Sequence, residues 1–109
     1  MFAVIYRWRV DEKDAEEFQR RWHEITVEIM THHGGGGSRL HLAENGDWVA
    51  YARWPSKDHR NRAFAELLKK TTATPQREGM AVLIEETWLK IADDLLIPEA
   101  DLPATFHKS

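Results

Sequence analysis

Six histidines and no cysteine set the chemistry open to this chain of 109 residues. Thiolate nucleophiles, disulfides, cysteine-ligated zinc and iron–sulfur clusters are excluded at once. Histidine leaves two options, a metal site or a group that moves protons near neutral pH. The conspicuous cluster is "HHGGGGSRLH", His32 to His41. His32 and His33 are adjacent, so on a helix their side chains diverge by about 100° and cannot hold one ion together. His23 and His32 point to opposite helix faces, and no carboxylate is spaced to join them, so no metal is expected. A phosphate cradle is also excluded. Such a loop follows a strand and opens a helix, whereas these glycines follow a helix and enter a strand.

The elements that must position such residues are legible from periodicity. "FAVIYRWRV" alternates, with Phe2, Val4, Tyr6, Trp8 and Val10 on one side and Ala3, Ile5, Arg7 and Arg9 on the other, which predicts a strand. Arg7 and Arg9 are expected to pair with acids across an intermolecular contact or to lie at its rim. Asp11 and the acids after it open a helix whose stripe is Ala15, Phe18, Trp22, Ile25 and Ile29, ending near Met30. The glycine run is then a helix terminus and corner, flexible for about four residues. As a linker it would leave a first piece too small to bury a core.

Beyond Ser38 the period becomes two. Asn45-Gly46 between alternating runs predicts a hairpin with a two-residue turn. That register sets Ala43 opposite Trp48, His41 opposite Ala50 and Arg39 opposite Ala52, with Leu42 facing Val49 and Leu40 facing Tyr51 on the other side. His41 and Arg39 would then share a face with Trp48, Trp54 and small alanines, leaving space that either a ligand or Trp48 and Trp54 themselves fill. Pro55-Ser56 opens a second helix with Ala63, Phe64, Leu67 and Leu68 inward and Arg60, Arg62, Lys69 and Lys70 outward. Residues 79–87 fit a helix or a strand, and Trp88 to Leu96 fit a last strand.

The order strand, helix, strand, strand, helix, strand predicts an α+β, ferredoxin-like βαββαβ sheet with both helices on one face, over residues 1–97, followed by a polar tail over 98–109. Two helices cover one sheet face, yet both faces are substantially apolar, so a homodimer is expected. Net charge of −3 and the absence of a basic run exclude nucleic acid as a partner. No stretch is long and apolar enough to span a bilayer, and the chain reads as soluble and cytoplasmic.

"FAVIYRWRV", "WHEIT" (Trp22 to Thr26), "GSRLH" (Gly37 to His41) and "WVAYARWP" (Trp48 to Pro55) resemble the antibiotic biosynthesis monooxygenase family. The resemblance covers most of residues 1–97. It implies a ferredoxin-like monomer, a dimeric α+β barrel, and a ligand cavity inside each monomer between sheet and helices. It also implies cofactor-independent oxidation of an aromatic or polyketide-like phenol, with molecular oxygen as co-substrate. On that reading His41 and His23 are candidate bases and Arg39 a donor to the developing oxyanion. Tyr6, Trp22, Tyr51, Trp54 and Phe64 would form the substrate pocket. The alternative is a non-catalytic dimeric barrel that binds a small hydrophobic molecule or a partner. The chain departs from the family's oxygenases in having no tryptophan between Lys57 and Lys70 and no asparagine in the first strand. His59 stands at the start of the second helix, where the haem-degrading relatives need a histidine late, so haem is not expected.

Overall fold

A computed structural model describes residues 1–70 and 80–107. Four strands, β1 (Phe2–Val10), β2 (Ser38–Leu42), β3 (Trp48–Trp54) and β4 (Ala81–Lys90), form one antiparallel sheet in the order β2-β3-β1-β4. Helix α1 (Ala15–His32) joins β1 to β2, and α2 (Lys57–Lys70) joins β3 to β4. This is the ferredoxin-like arrangement: each helix returns the chain past one strand position, which the other half of the molecule fills.

The alternation of β1 holds along its length. Val4, Tyr6 and Trp8 are buried on one face, opposite Ala52, Ala50 and Trp48 of β3. Phe18 of α1, 1% exposed, seals this face, meeting Trp8 edge-on at 5.5 Å and Trp48 at 5.8 Å. On the other face Arg7 pairs within its own chain, with Asp47 at 3.3 Å and Glu85 at 3.5 Å, and Arg9 approaches Asp47 at 4.0 Å. Acids from the hairpin loop and β4 therefore supply the partners that an intermolecular contact was expected to supply.

The hairpin differs from expectation by one residue. The Ala43 N–H donates to the Asp47 carbonyl (2.8 Å) and the Gly46 N–H to the Ala43 carbonyl (2.9 Å), enclosing a three-residue loop. Gly46 has φ +90°, while Asn45 stays at negative φ, so the turn is not the mirror-image type that Asn-Gly favours. The Asn45 side chain instead accepts from the Asp47 N–H at 3.0 Å. The observed pairs are Leu42 with Trp48, His41 with Val49, Leu40 with Ala50, Arg39 with Tyr51 and Ser38 with Ala52. A slip of one residue exchanges the faces of β2. Leu40 and Leu42 thus lie on the face of Ala50 and Ala52, and Arg39 and His41 lie on the other.

Of residues 79–87, left open between helix and strand by their pattern, 81–87 are strand and residue 79 lies outside the described residues. The pairing shifts between Arg7–Glu85 and Trp8–Leu83, so Ile84 is an extra residue in β4. That bulge sets Leu83 and Glu86, three apart, on one face, a spacing that imitates a helix. The strand ends at Lys90, and Leu95 and Leu96, expected within or at the end of it, lie beyond it and exposed.

The glycine run is pinned. Gly34 (φ +71°) ends α1, the Gly36 N–H donates to the Arg53 carbonyl (2.9 Å), and Arg53 returns a backbone bond to Gly37 (3.1 Å) and a side-chain bond to Gly36 (3.0 Å). A Cβ on Gly36 would stand 3.0 Å from the Arg53 Cβ and 3.1 Å from its carbonyl oxygen, so close backbone approach is what requires glycine there. Gly37 has φ +88° and nothing nearer its would-be Cβ than 3.9 Å, so its requirement is conformational alone. Gly37→Ala should therefore lower stability by about 1–2 kcal/mol, read as a lower urea midpoint with an unchanged m-value.

Candidate functional site

Between the helices and the inner sheet face lies a cavity of about 690 Å³. The α1 stripe supplies Phe18, Trp22, Ile25 and Ile29, spaced four, three and four apart, which keeps all of them on one side of the helix. The sheet supplies Tyr6, Trp8, Ala52 and Trp54; the methyl side chain of Ala52 is part of what leaves the space open. From α2 come Arg60, Phe64 and Leu67, and the backbone of Gly35–Gly37 closes one side. Trp54 and Phe64 meet edge-on at 6.1 Å. The exposed Met30, Asn61, Ala65 and Leu83 mark where the cavity meets solvent.

A buried polar cluster stands among these apolar walls, which also carry Thr26, Ser38 and Arg53. Arg60, expected to face outward, is 6% exposed. Its Nη1 donates to the Tyr6 hydroxyl (2.9 Å) and to Glu86 Oε1 (2.9 Å), its Nη2 to Glu86 Oε2 (3.0 Å), and its Nε to Asn61 Oδ1 (2.9 Å). The Trp88 indole N–H donates to Glu86 Oε2 at 3.1 Å, and the guanidinium stands 4.9 Å from the Trp88 ring and 5.2 Å from that of Phe64. The signal was present in the sequence. Position 60 precedes Ala63, Phe64, Leu67 and Leu68 by three, four, seven and eight residues, so it belongs to the inward stripe. Residue type argued otherwise, because arginine is seldom buried unless paired. Its partners come from β1 and β4, where Tyr6 and Glu86 are cross-strand neighbours.

The protonation states follow from these contacts. Burial pushes the Tyr6 phenol above its ordinary value, against the opposing pull of Arg60. Burial works against the charge of Arg60, but Glu86 and Tyr6 outweigh it and its pKa is raised. The Arg60 hydrogen bonds hold the Glu86 carboxyl below the usual carboxylate range, more than burial raises it. The resting cluster is a neutral phenol beside a guanidinium–carboxylate pair.

Of the residues singled out in the sequence, Tyr6, Trp22, Trp54 and Phe64 stand on this cavity. Tyr51 does not; the alternation of β3 sets it on the opposite sheet face from Trp54, and the hairpin register brings Arg39 and His41 to that face as well. The exposed His41 ring places Nδ1 3.0 Å from the Val49 carbonyl. His23 is exposed on α1 and with Arg39 borders a separate, more open groove of about 580 Å³. Of the three candidate catalytic residues, His23 and Arg39 share that groove, His41 is not among its residues, and none lines the cavity. Among the described residues, no group of three or more His, Asp or Glu is placed to hold a metal ion, and no helix is long and apolar enough to cross a membrane.

A four-stranded antiparallel sheet carrying two helices and an internal apolar cavity invites comparison with solved structures. The chain has the fold of SnoaB. SnoaB is a cofactor-independent oxygenase from Streptomyces nogalater, and a mutant form of it superposes with a TM-score of 0.67 over 86% of this chain and 95% of its own. The two are 19% identical, so the likeness to SnoaB is one of architecture. No family model and no curated protein matches the sequence.

The Glu86 contacts predict a pH dependence. In the folded chain Arg60 holds this carboxyl below its ordinary value, so the pair stabilises the fold above the unfolded carboxylate range, near about pH 4. That contribution is lost as pH falls through the lower folded value. Wild type should exceed Glu86→Gln in stability at neutral pH, and urea titrations at descending pH should show the gap closing below about pH 4.

Proposed function

We propose that this protein is a small cofactor-independent monooxygenase of the antibiotic biosynthesis monooxygenase type, acting on an aromatic, polyketide-like phenolic substrate held in the cavity between sheet and helices. The observation that carries the reading is the cavity itself: about 690 Å³, walled by Trp8, Trp54 and Phe64, with a buried polar cluster at Tyr6 and Arg60. The volume suits a fused-ring molecule. The shared fold with a cofactor-independent oxygenase supports the same reading.

Such chemistry asks the protein for little. A ring methylene plus O₂ gives a ring carbonyl plus water, four electrons passing from substrate to oxygen. The electron-rich substrate anion reacts with oxygen itself. The walls exclude water and hold the ring, and the Tyr6 O–H, polarised by Arg60, favours the oxyanion by hydrogen bonding. Glu86 is a weak base while paired with Arg60, so the substrate's proton leaves toward solvent at the mouth. Anthrone and quinol substrates supplied with oxygen should consume it in a protein-dependent manner, with Phe64→Ala slowing uptake by at least about tenfold. A panel that leaves oxygen untouched would overturn the reading.

One observation favours a second reading, a non-catalytic barrel that binds a small hydrophobic molecule. No histidine is among the described residues lining the cavity. On that reading the same ligands bind and no oxygen is consumed.

We further propose a homodimer formed through the outer sheet face, where Ile5 and Tyr51 are half-buried and Val82 and Leu89 are exposed, 65% and 42% respectively. Apolar area of this kind on a sheet face is unfavourable in water. Sedimentation should give twice the chain mass, and Leu89→Glu should shift it to the monomer; a monomeric wild type would refute the assembly.

A further inference from the structure

The Tyr6 hydroxyl can accept and donate at once, and only half of that capacity is used. It accepts from Arg60 Nη1 at 2.9 Å, and among the described residues no acceptor takes its own proton. Tyr6 is 8% exposed, so bulk water reaches it poorly, and it lines the cavity. An acceptor oxygen that enters the cavity can take the Tyr6 proton.

We propose that Tyr6 is the ligand-recognition donor of the cavity, and that the ligand presents to it a neutral acceptor oxygen, a ring carbonyl, in preference to a carboxylate. The proposal rests on the reading that this cavity is the ligand site, and deepens it by naming the functional group recognised. Arg60 polarises the Tyr6 O–H by donating to its oxygen, which strengthens the hydrogen bond Tyr6 can give. Arg60 itself is not free for an anion. Both oxygens of Glu86 occupy its fork, and Asn61 takes its Nε. A carboxylate reaching Tyr6 would lose its hydration beside Glu86, with the nearby positive charge already neutralised. A carbonyl oxygen carries no such penalty. The other cation on the cavity wall, Arg53, is exposed and gives its Nε–H to the Gly36 carbonyl.

Three planar probes of one size separate the terms: fluorenone, fluorene and fluorene carboxylate. Fluorenone has no ring methylene to oxidise and fluorene is titrated in the absence of oxygen, so binding is read by quenching of tryptophan fluorescence, independent of turnover. Wild type should bind fluorenone about tenfold more tightly than fluorene, the worth of one hydrogen bond, and the carboxylate most weakly. Tyr6→Phe, which keeps the ring and its stacking on Trp8, should bring fluorenone to within about twofold of fluorene with fluorene itself unchanged. Equal affinities for fluorenone and fluorene in wild type, tightest binding of the carboxylate, a carbonyl preference that survives in Tyr6→Phe, or no binding of any probe would overturn the proposal. The wild-type comparison decides even if the variant folds poorly. Loss of oxygen uptake with the carbonyl preference intact would remove the oxygenase reading alone.

Discussion

A guanidinium buried under a helix is the constraint around which the inside of this molecule is arranged. Arg60 cannot leave water without its charge and its donors being met, and the penalty for a lone buried ion far exceeds what any single apolar contact returns. The molecule meets it with Glu86 from β4, the Tyr6 hydroxyl from β1 and Asn61 beside it on α2. These bonds set how closely α2 approaches the sheet. Because Tyr6 and Glu86 are cross-strand partners, the β1–β4 register and the seating of α2 are one condition.

The cavity follows from the same arrangement. A helix held by a polar cluster at one turn does not need to pack its whole length onto the sheet. The strand residue facing the space is alanine at position 52, beside Trp54. Glycine performs the corresponding service for the backbone, since Gly36 lies close against Arg53 and brings the end of α1 to the edge of β3. His59 ties the second helix to that corner, its Nε2 donating to the His33 carbonyl at 2.8 Å. The result is an apolar space with a fixed polar point, a geometry suited to orienting a flat ligand.

Where the sequence misled, the cause was geometric and local. Asn45-Gly46 promised a two-residue turn, but the Asn45 side chain bonds the Asp47 N–H and the loop takes in one residue more. That single residue moved His41 and Arg39 away from the face that borders the cavity. The bulge at Ile84 had a similar effect on β4, where an inserted residue disguised a strand as an ambiguous segment and hid Glu86 from view. Arg60 was hidden differently: its position in the stripe was legible, but its residue type spoke for solvent.

The sequence by itself determined the order of the elements, the inner face of β1 and the apolar stripe of α1, because these depend on periodicities of 2 and 3.6 that are local properties of the chain. The resemblance to the antibiotic biosynthesis monooxygenase family, together with the faces those periodicities gave, made Tyr6, Trp22, Trp54 and Phe64 pocket candidates. Tertiary structure alone decided the partners: which face β2 presents, which acid meets Arg60, and which hydroxyl is left with a proton to give. Those outcomes turn on register and on pairing between residues 26 and 54 positions apart, and no local periodicity carries that information.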